Sequence, residues 1–162
     1  MLVLDVDGVL TDGGLIVAAD GRELKKFHAL DGAGIRFWQK AGFEVAIISG
    51  RNAEVVDRRA RELDIVRVYQ GFTDKREAWS QLLEEVQLSD EQVAIMGDDL
   101  MELPLMQRAG FSIAPANAVP EVKSIVDLVT HRHGGNGAVR EAIEFLLKAK
   151  GCWDIIMRGY QS

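Results

Sequence analysis

Leu2-Val3-Leu4-Asp5-Val6-Asp7-Gly8-Val9-Leu10-Thr11-Asp12 decides how this chain is read. Three apolar residues stop abruptly at an acid, and a second acid follows two residues later. A short, continuously apolar run fits a strand buried on both faces. Residues two apart on an extended segment point to the same side, so Asp5 and Asp7 can address one ligand in two roles. Gly8 lets the chain turn away and brings backbone N–H groups near an anion.

Similar apolar runs recur outward from this stretch, at Val45–Ile48, Val66–Tyr69, Val93–Met96 and Phe111–Ala114, with a weaker one at Leu128-Val129. Helical patterns lie between them. One runs from Asp31 to Lys40 and ends at Gly42; one runs from Asn52 to Leu63 with Asn52 as N-cap; one runs from Thr73 to Val86. Short helices are expected after Asp99 and Val119, and a last one over 137–150. Strands alternating with helices predict an α/β fold: a three-layer, Rossmann-like parallel sheet with helices on both faces and right-handed crossovers. Asp20-Gly21 between two β-like runs breaks the alternation and predicts a β-hairpin flap over 13–28. No insertion is long enough for a cap domain.

In a parallel sheet the carboxyl ends of the strands share one edge, where ligands bind. Asp5-Val6-Asp7-Gly8, Ser49-Gly50-Arg51 and Gly97-Asp98-Asp99 all follow apolar runs. Four carboxylates meeting at that edge repel unless a cation or shared proton relieves them. A hard cation with oxygen ligands, Mg²⁺, suits them, held by carboxylates, waters and a substrate phosphate. One aspartate then attacks phosphorus, and the other protonates the leaving alcohol and activates water. Ser49 can hydrogen-bond a phosphate oxygen and Lys75 can neutralise one. The plainer reading makes these acids turn and helix caps.

Asp5 to Asp12 matches the first motif of the haloacid dehalogenase superfamily, with Ser49, Lys75 and Gly97-Asp98-Asp99 in the positions of the second, third and fourth. The resemblance implies that Asp5 is nucleophile and metal ligand. It makes Asp7 the general acid/base and a metal ligand through its backbone carbonyl, Asp98 a metal ligand, and Asp99 an outer-shell acid. Gly8, Thr11, Gly50 and Arg51 are then expected at the substrate. DGAGI at 31–35, SGR at 49–51 and GGNGAVRE at 134–141 extend the likeness over nearly the whole chain. Together they resemble the capless family of 3-deoxy-D-manno-octulosonate 8-phosphate phosphatases, and equally the phosphatases of nine-carbon sialic-type acid phosphates. That implies a Mg²⁺-dependent hydrolase of a small acidic sugar phosphate, working as a homotetramer. The motif usually carries aspartate where this chain has Glu102, so a direct role at 102 does not carry over. A non-catalytic oligomerising module of the same fold is the alternative from another class; a phosphomutase would need a lid that the flap is too short to form.

Other residues stay open. Arg51 can pair with a substrate carboxylate or phosphate, or be a surface arginine at a helix start. Arg140 can reach a neighbouring subunit's site or pair within its own helix. His28 can touch substrate or serve structure, His131 and His133 read as solvated, and Gly134–Gly137 can cradle an anion or form a plain helix entry. The apolar tail 151–160 is expected on its own core or on an adjacent subunit. The 162 residues fit one domain, 1–162. A net charge of −6 without a basic block argues against nucleic acid and anionic membrane as partners. A lone Cys152 excludes an intrachain disulfide and suits the cytoplasm. No charged leader followed by an apolar stretch opens the sequence, so a signal peptide is not expected, and no apolar run reaches about 18 residues.

Overall fold

The computed structural model describes residues 1–160; the last two residues of the expected domain lie outside the described residues. The six-stranded sheet is parallel throughout. At its centre is β1 (Leu2–Leu4), paired with β4 (Val45–Ser49) on one side and β6 (Ala94–Met96) on the other. Beyond β4 lies β5 (Arg67–Gln70), and beyond β6 lie β7 (Phe111–Ala114) and β8 (Leu128–Val129).

Alternation along each strand divides the core in two. Leu2, Leu4, Val45, Ile47 and Met96 face one cluster, shared with α1 (Ala29–Lys40), α2 (Glu54–Glu62) and α6 (Ala138–Ala149). Val3, Ala46, Ile48 and Ile95 face the other, shared with α3 (Lys75–Val86), α4 (Leu103–Met106) and α5 (Pro120–Lys123). The layers are therefore the three expected, and no segment among the described residues forms a cap.

Three expectations are corrected. Asn52 does not cap α2: Ala53 occupies that position, and its N–H donates to Gln70 Oε1 at 3.0 Å. Gln70 is itself held by Asp57 at 2.8 Å, so the edge strand fixes the chain as it enters α2. Val66 lies outside its strand and is 82% exposed. β5 is half-buried throughout because it is an edge, not a doubly covered strand. The flap forms, but only β2 (Ile16–Val17) and β3 (Glu23–Leu24) pair, antiparallel, closed by Ala18 N–H to Arg22 O at 2.8 Å.

The tail folds onto its own chain. Its helix α7 (Trp153–Arg158) buries Ile156, and Trp153 and Tyr160 pack edge-on against Phe37 of α1.

Candidate active site

Asp5 leaves β1 in extended conformation, and the chain then makes one wide turn closed by Thr11 N–H to Val6 O at 3.0 Å. Within that turn Asp7 stays extended (φ −77°, ψ 115°) and Gly8 adopts φ +90°. That left-handed backbone favours glycine, and a Cβ at Gly8 would strike the Asp98 carboxylate. Thr11 is buried, donates to Val6 O at 3.3 Å and accepts from Gly13 N at 3.2 Å. Gly8 O accepts from Asn117 Nδ2 at 2.9 Å, and Asn117 Oδ1 accepts from Gly134 N at 2.6 Å.

Three further segments deliver side chains to the same edge. Ser49 is the last residue of β4, Asp98 follows β6, and Lys75 opens α3, whose N-cap is Asp74. Lys75 Nζ lies 2.6 Å from Asp5 Oδ1 and also bonds Glu102. All three are buried: Asp5 is 7%, Lys75 4% and Glu102 3% exposed. Glu102 Oε2 accepts from Asp99 N at 3.0 Å, while Asp99 Oδ1 accepts from Leu100 N at 2.7 Å. Ser49 Oγ accepts from Arg51 N at 3.3 Å. These residues line a cavity of about 230 Å³ together with Asp7, Gly50, Arg51 and Met101. Of the residues expected at the ligand, Gly8 and Thr11 do not line it; they shape the turn behind it. A larger cavity of about 560 Å³ lies between the flap tip and α2, lined by Arg22, Glu23, Asn52, Arg58 and Arg61.

The electrostatics describe an under-neutralised pocket. Burial raises the Asp5 carboxyl to about 6, with Lys75 pulling down and Glu102 pushing up. Burial also raises Asp98 to about 7, reinforced by Asp5, Glu102 and Asp99. Burial alone would lower the Lys75 ammonium, but Asp5 and Glu102 outweigh it and hold it above the ordinary lysine value. Carboxylate oxygens of Asp5, Asp98 and Glu102 all lie within 4.8 Å of one another. One lysine cannot offset that crowd; an all-oxygen, strongly anionic donor set fits a hard divalent cation such as Mg²⁺.

The Asp7 carboxylate is not in this group. It turns to the flap, where Lys25 Nζ is 2.5 Å from Oδ1, and Arg51 Nε is 3.8 Å from Oδ2. Arg51 also bonds Glu23 Oε2 at 2.8 Å, so its guanidinium is engaged by the flap and still half-exposed.

Four open readings resolve. Arg140 pairs within its own helix, with Glu144 at 2.6 Å, and lies over Phe37 at 4.5 Å. His28 caps α1, its Nδ1 accepting from Leu30 N at 3.3 Å, and His131 and His133 are exposed. Gly134–Gly137 cradle no free anion. A Cβ at Gly134 would strike Gly8 O, Gly135 N donates to Val9 O at 3.0 Å, and the start of α6 is filled by Asp31. Asp31 accepts from Gly137 N at 3.2 Å and Arg140 N at 2.8 Å. The anion at this helix start is the chain's own.

Sequence reasoning missed Lys25, Asn117 and the contacts of Glu102. The alternation of the flap strand could have flagged Lys25, two residues after Glu23 and on the same face. Asn117 had no local signal.

Comparison with known proteins agrees with this geometry. A family model for haloacid dehalogenase-like hydrolases matches residues 60–143. The chain is 47% identical over 154 residues to the 3-deoxy-D-manno-octulosonate 8-phosphate phosphatase KdsC of Salmonella typhi, covering 95% of this chain and 82% of that protein. The crystal structure of the Yersinia pestis phosphatase of that name superposes with a TM-score of 0.92 at 42% identity, covering 94% of this chain and 83% of that one. That of Moraxella catarrhalis, in complex with magnesium, phosphate and KDO, gives a TM-score of 0.96 at 39% identity over 99% and 92%. With so much of both chains shared, this protein belongs to the haloacid dehalogenase-like hydrolases, in the family of 3-deoxy-D-manno-octulosonate 8-phosphate phosphatases.

Proposed function

We propose that this chain hydrolyses 3-deoxy-D-manno-octulosonate 8-phosphate to the sugar acid and inorganic phosphate, with Mg²⁺ held by the carboxylates of Asp5 and Asp98 and the backbone carbonyl of Asp7. The observation that carries it is the convergence of Asp5, Lys75 and Asp98 at one sheet edge, with Asp7 two residues beyond Asp5. The relatives' names and the bound ligands of the Moraxella protein support the substrate.

A carboxylate oxygen of Asp5 attacks phosphorus as the bond from phosphorus to the sugar oxygen breaks. The electron pair stays on that oxygen, which takes a proton from Asp7. Water then attacks the phosphorus of the aspartyl-phosphate, and Asp7 takes its proton. The bond to Asp5 breaks, releasing phosphate and restoring the carboxylate. Lys75 and Ser49 hold phosphate oxygens, and Asp99 fixes the turn that presents Glu102. When bound, Mg²⁺ offsets the charge that nucleophile and phosphate bring together. Gly50 leaves room beside Ser49, Gly8 and Thr11 shape the turn under the phosphate, and Arg51 takes the substrate carboxylate. The cavity between the flap tip and α2 offers Arg22, Arg58 and Arg61 to an acidic sugar.

The whole of 1–162 acts in this reading as one phosphatase domain. Apolar Leu15, Ile16, Val17 and Leu24 stand exposed on the flap beside an open site, which supports a homotetramer assembled there. Cys152 as a free thiol fits a cytoplasmic enzyme; no helix among the described residues is long and apolar enough to cross a membrane.

The test is phosphate release from eight-carbon, nine-carbon and simple sugar phosphates, with and without Mg²⁺, by the wild type and Asp5→Asn. Hydrolysis should require Mg²⁺, favour the eight-carbon acid and vanish in Asp5→Asn. A preference for simple hexose phosphates would overturn the substrate, and an active Asp5→Asn the mechanism.

A further inference from the structure

The flap carries two arginine or lysine side chains other than the one at its inner face, and a third reaches it from outside; all three are superficial. Arg22 pairs with Asp20 and is 79% exposed at its side chain, and Lys26 pairs with Asp12 and is 67% exposed. Arg51 reaches the flap from the β4 side and is 48% exposed. Lys25 is different: its side chain is 1% exposed, and its ammonium sits between Asp7 and Glu23. A sealed ammonium is costly unless carboxylates meet it, and Lys25 is placed where one of those carboxylates is Asp7.

The two contacts are unequal. Lys25 Nζ donates to Asp7 Oδ1 at 2.5 Å in hydrogen-bond geometry. Glu23 Oε1 is 2.6 Å from the same nitrogen but accepts no aligned hydrogen bond. The directional bond is therefore given to Asp7, and Glu23 balances the charge while tying Lys25 to Arg51 through its other oxygen. A carboxylate turns broadly about its terminal torsion. The bond on Oδ1 restrains that torsion, and Oδ2 lies 3.8 Å from Arg51 Nε, Asp7 and Arg51 both lining the cavity.

We propose that Lys25 is a positioning residue for proton transfer: the flap uses it to pin the Asp7 carboxyl so that one oxygen faces the leaving group. The proposal rests on Asp7 being the general acid and base. Lys25 touches neither the phosphate nor the nucleophile, and no proton leaves it. In the first step the phosphorus–oxygen bond breaks, the electron pair goes to the sugar oxygen, and the proton comes from Asp7. Lys25 decides whether that proton starts in reach. The flap then orders the acid.

The chemistry supplies a test that a purely structural role does not pass. An alkoxide leaving group needs the proton; p-nitrophenolate leaves without it. Lys25→Met keeps most of the buried stem and removes the bond. Its kcat should fall on both substrates, but by roughly tenfold more on the alkyl sugar phosphate than on p-nitrophenyl phosphate, since general acid catalysis contributes about 10²–10⁴-fold. Lys25→Arg, which can still donate to Asp7, should recover part of the difference. Lys26→Met, the same charge change one residue away, should show none. The ratio of the two substrates is read on one preparation, so a smaller folded fraction cancels. Asp7→Ala separates the two ideas. If it shows no leaving-group bias, the role of Asp7 is wrong. If it shows the bias and Lys25→Met loses equally on both substrates, the role of Lys25 alone is overturned.

Discussion

Glu102 shows how one methylene can change a site without changing its charge. Its carboxylate takes the Lys75 ammonium on one oxygen and the Asp99 N–H on the other. From sequence it was a departure from an aspartate motif with no role to carry over; in three dimensions it is the second partner of a buried lysine. Glu102→Ala strands the Asp99 N–H and leaves Lys75 only Asp5, so it should cost about 1–3 kcal/mol, read by urea unfolding. Glu102→Asp should cost less, because the shorter side chain keeps one of the two bonds. A variant as stable as wild type would mean that relief of crowding among Asp5, Asp98 and Glu102 outweighs the lost bonds. Asp5, Asp98 and Lys75 were legible because each stands at a strand end or helix start in a spaced motif. The contacts of Glu102 were not, since a contact between side chains distant in sequence leaves no period to read, and for Lys25 the alternation of the flap strand gave a face but not the partner.

At the scale of elements, helix α6 starts on a borrowed carboxylate. Its own N-cap is Gly137, which has no side chain to offer, and Asp31 of α1 accepts the first N–H groups instead. Burial raises the Asp31 carboxyl above its ordinary value against those bonds, so the arrangement is held by fit as well as by charge. Asp31→Ala should lower stability by about 0.5–2 kcal/mol, as loss of a cap does, and Asp31→Asn by less; chemical denaturation measures both. An unchanged midpoint for Asp31→Ala would show that water replaces the cap. The strands and helices were readable from apolar runs to within a few residues. The exceptions share one cause: Asn52 and Val66 sit beside the edge strand β5, where partners come from across the sheet and local pattern loses its hold.

For the whole molecule, the flap carries a cluster of exposed apolar side chains. Ile16 and Val17 are 53% and 65% exposed on a strand of two residues, while the sheet edges are short or charged. Replacing Ile16 with glutamate should shift the proposed homotetramer toward smaller species in sedimentation at micromolar concentration, with the Asp5–Lys75 site intact. A wild type that is already monomeric would remove that assembly. Sequence resemblance offered the oligomer, and nothing in the periodicity of one chain could have done so. The sheet carries a further consequence for how the chain becomes a protein. Leu2–Leu4 is the middle strand, in register with Val45–Ile47 and with Ala94–Met96. The central strand is thus synthesised before both of its neighbours and completes its pairing only after residue 96 is out. At about 5–20 residues per second, that leaves an apolar segment waiting for seconds, long enough for a chaperone to find it.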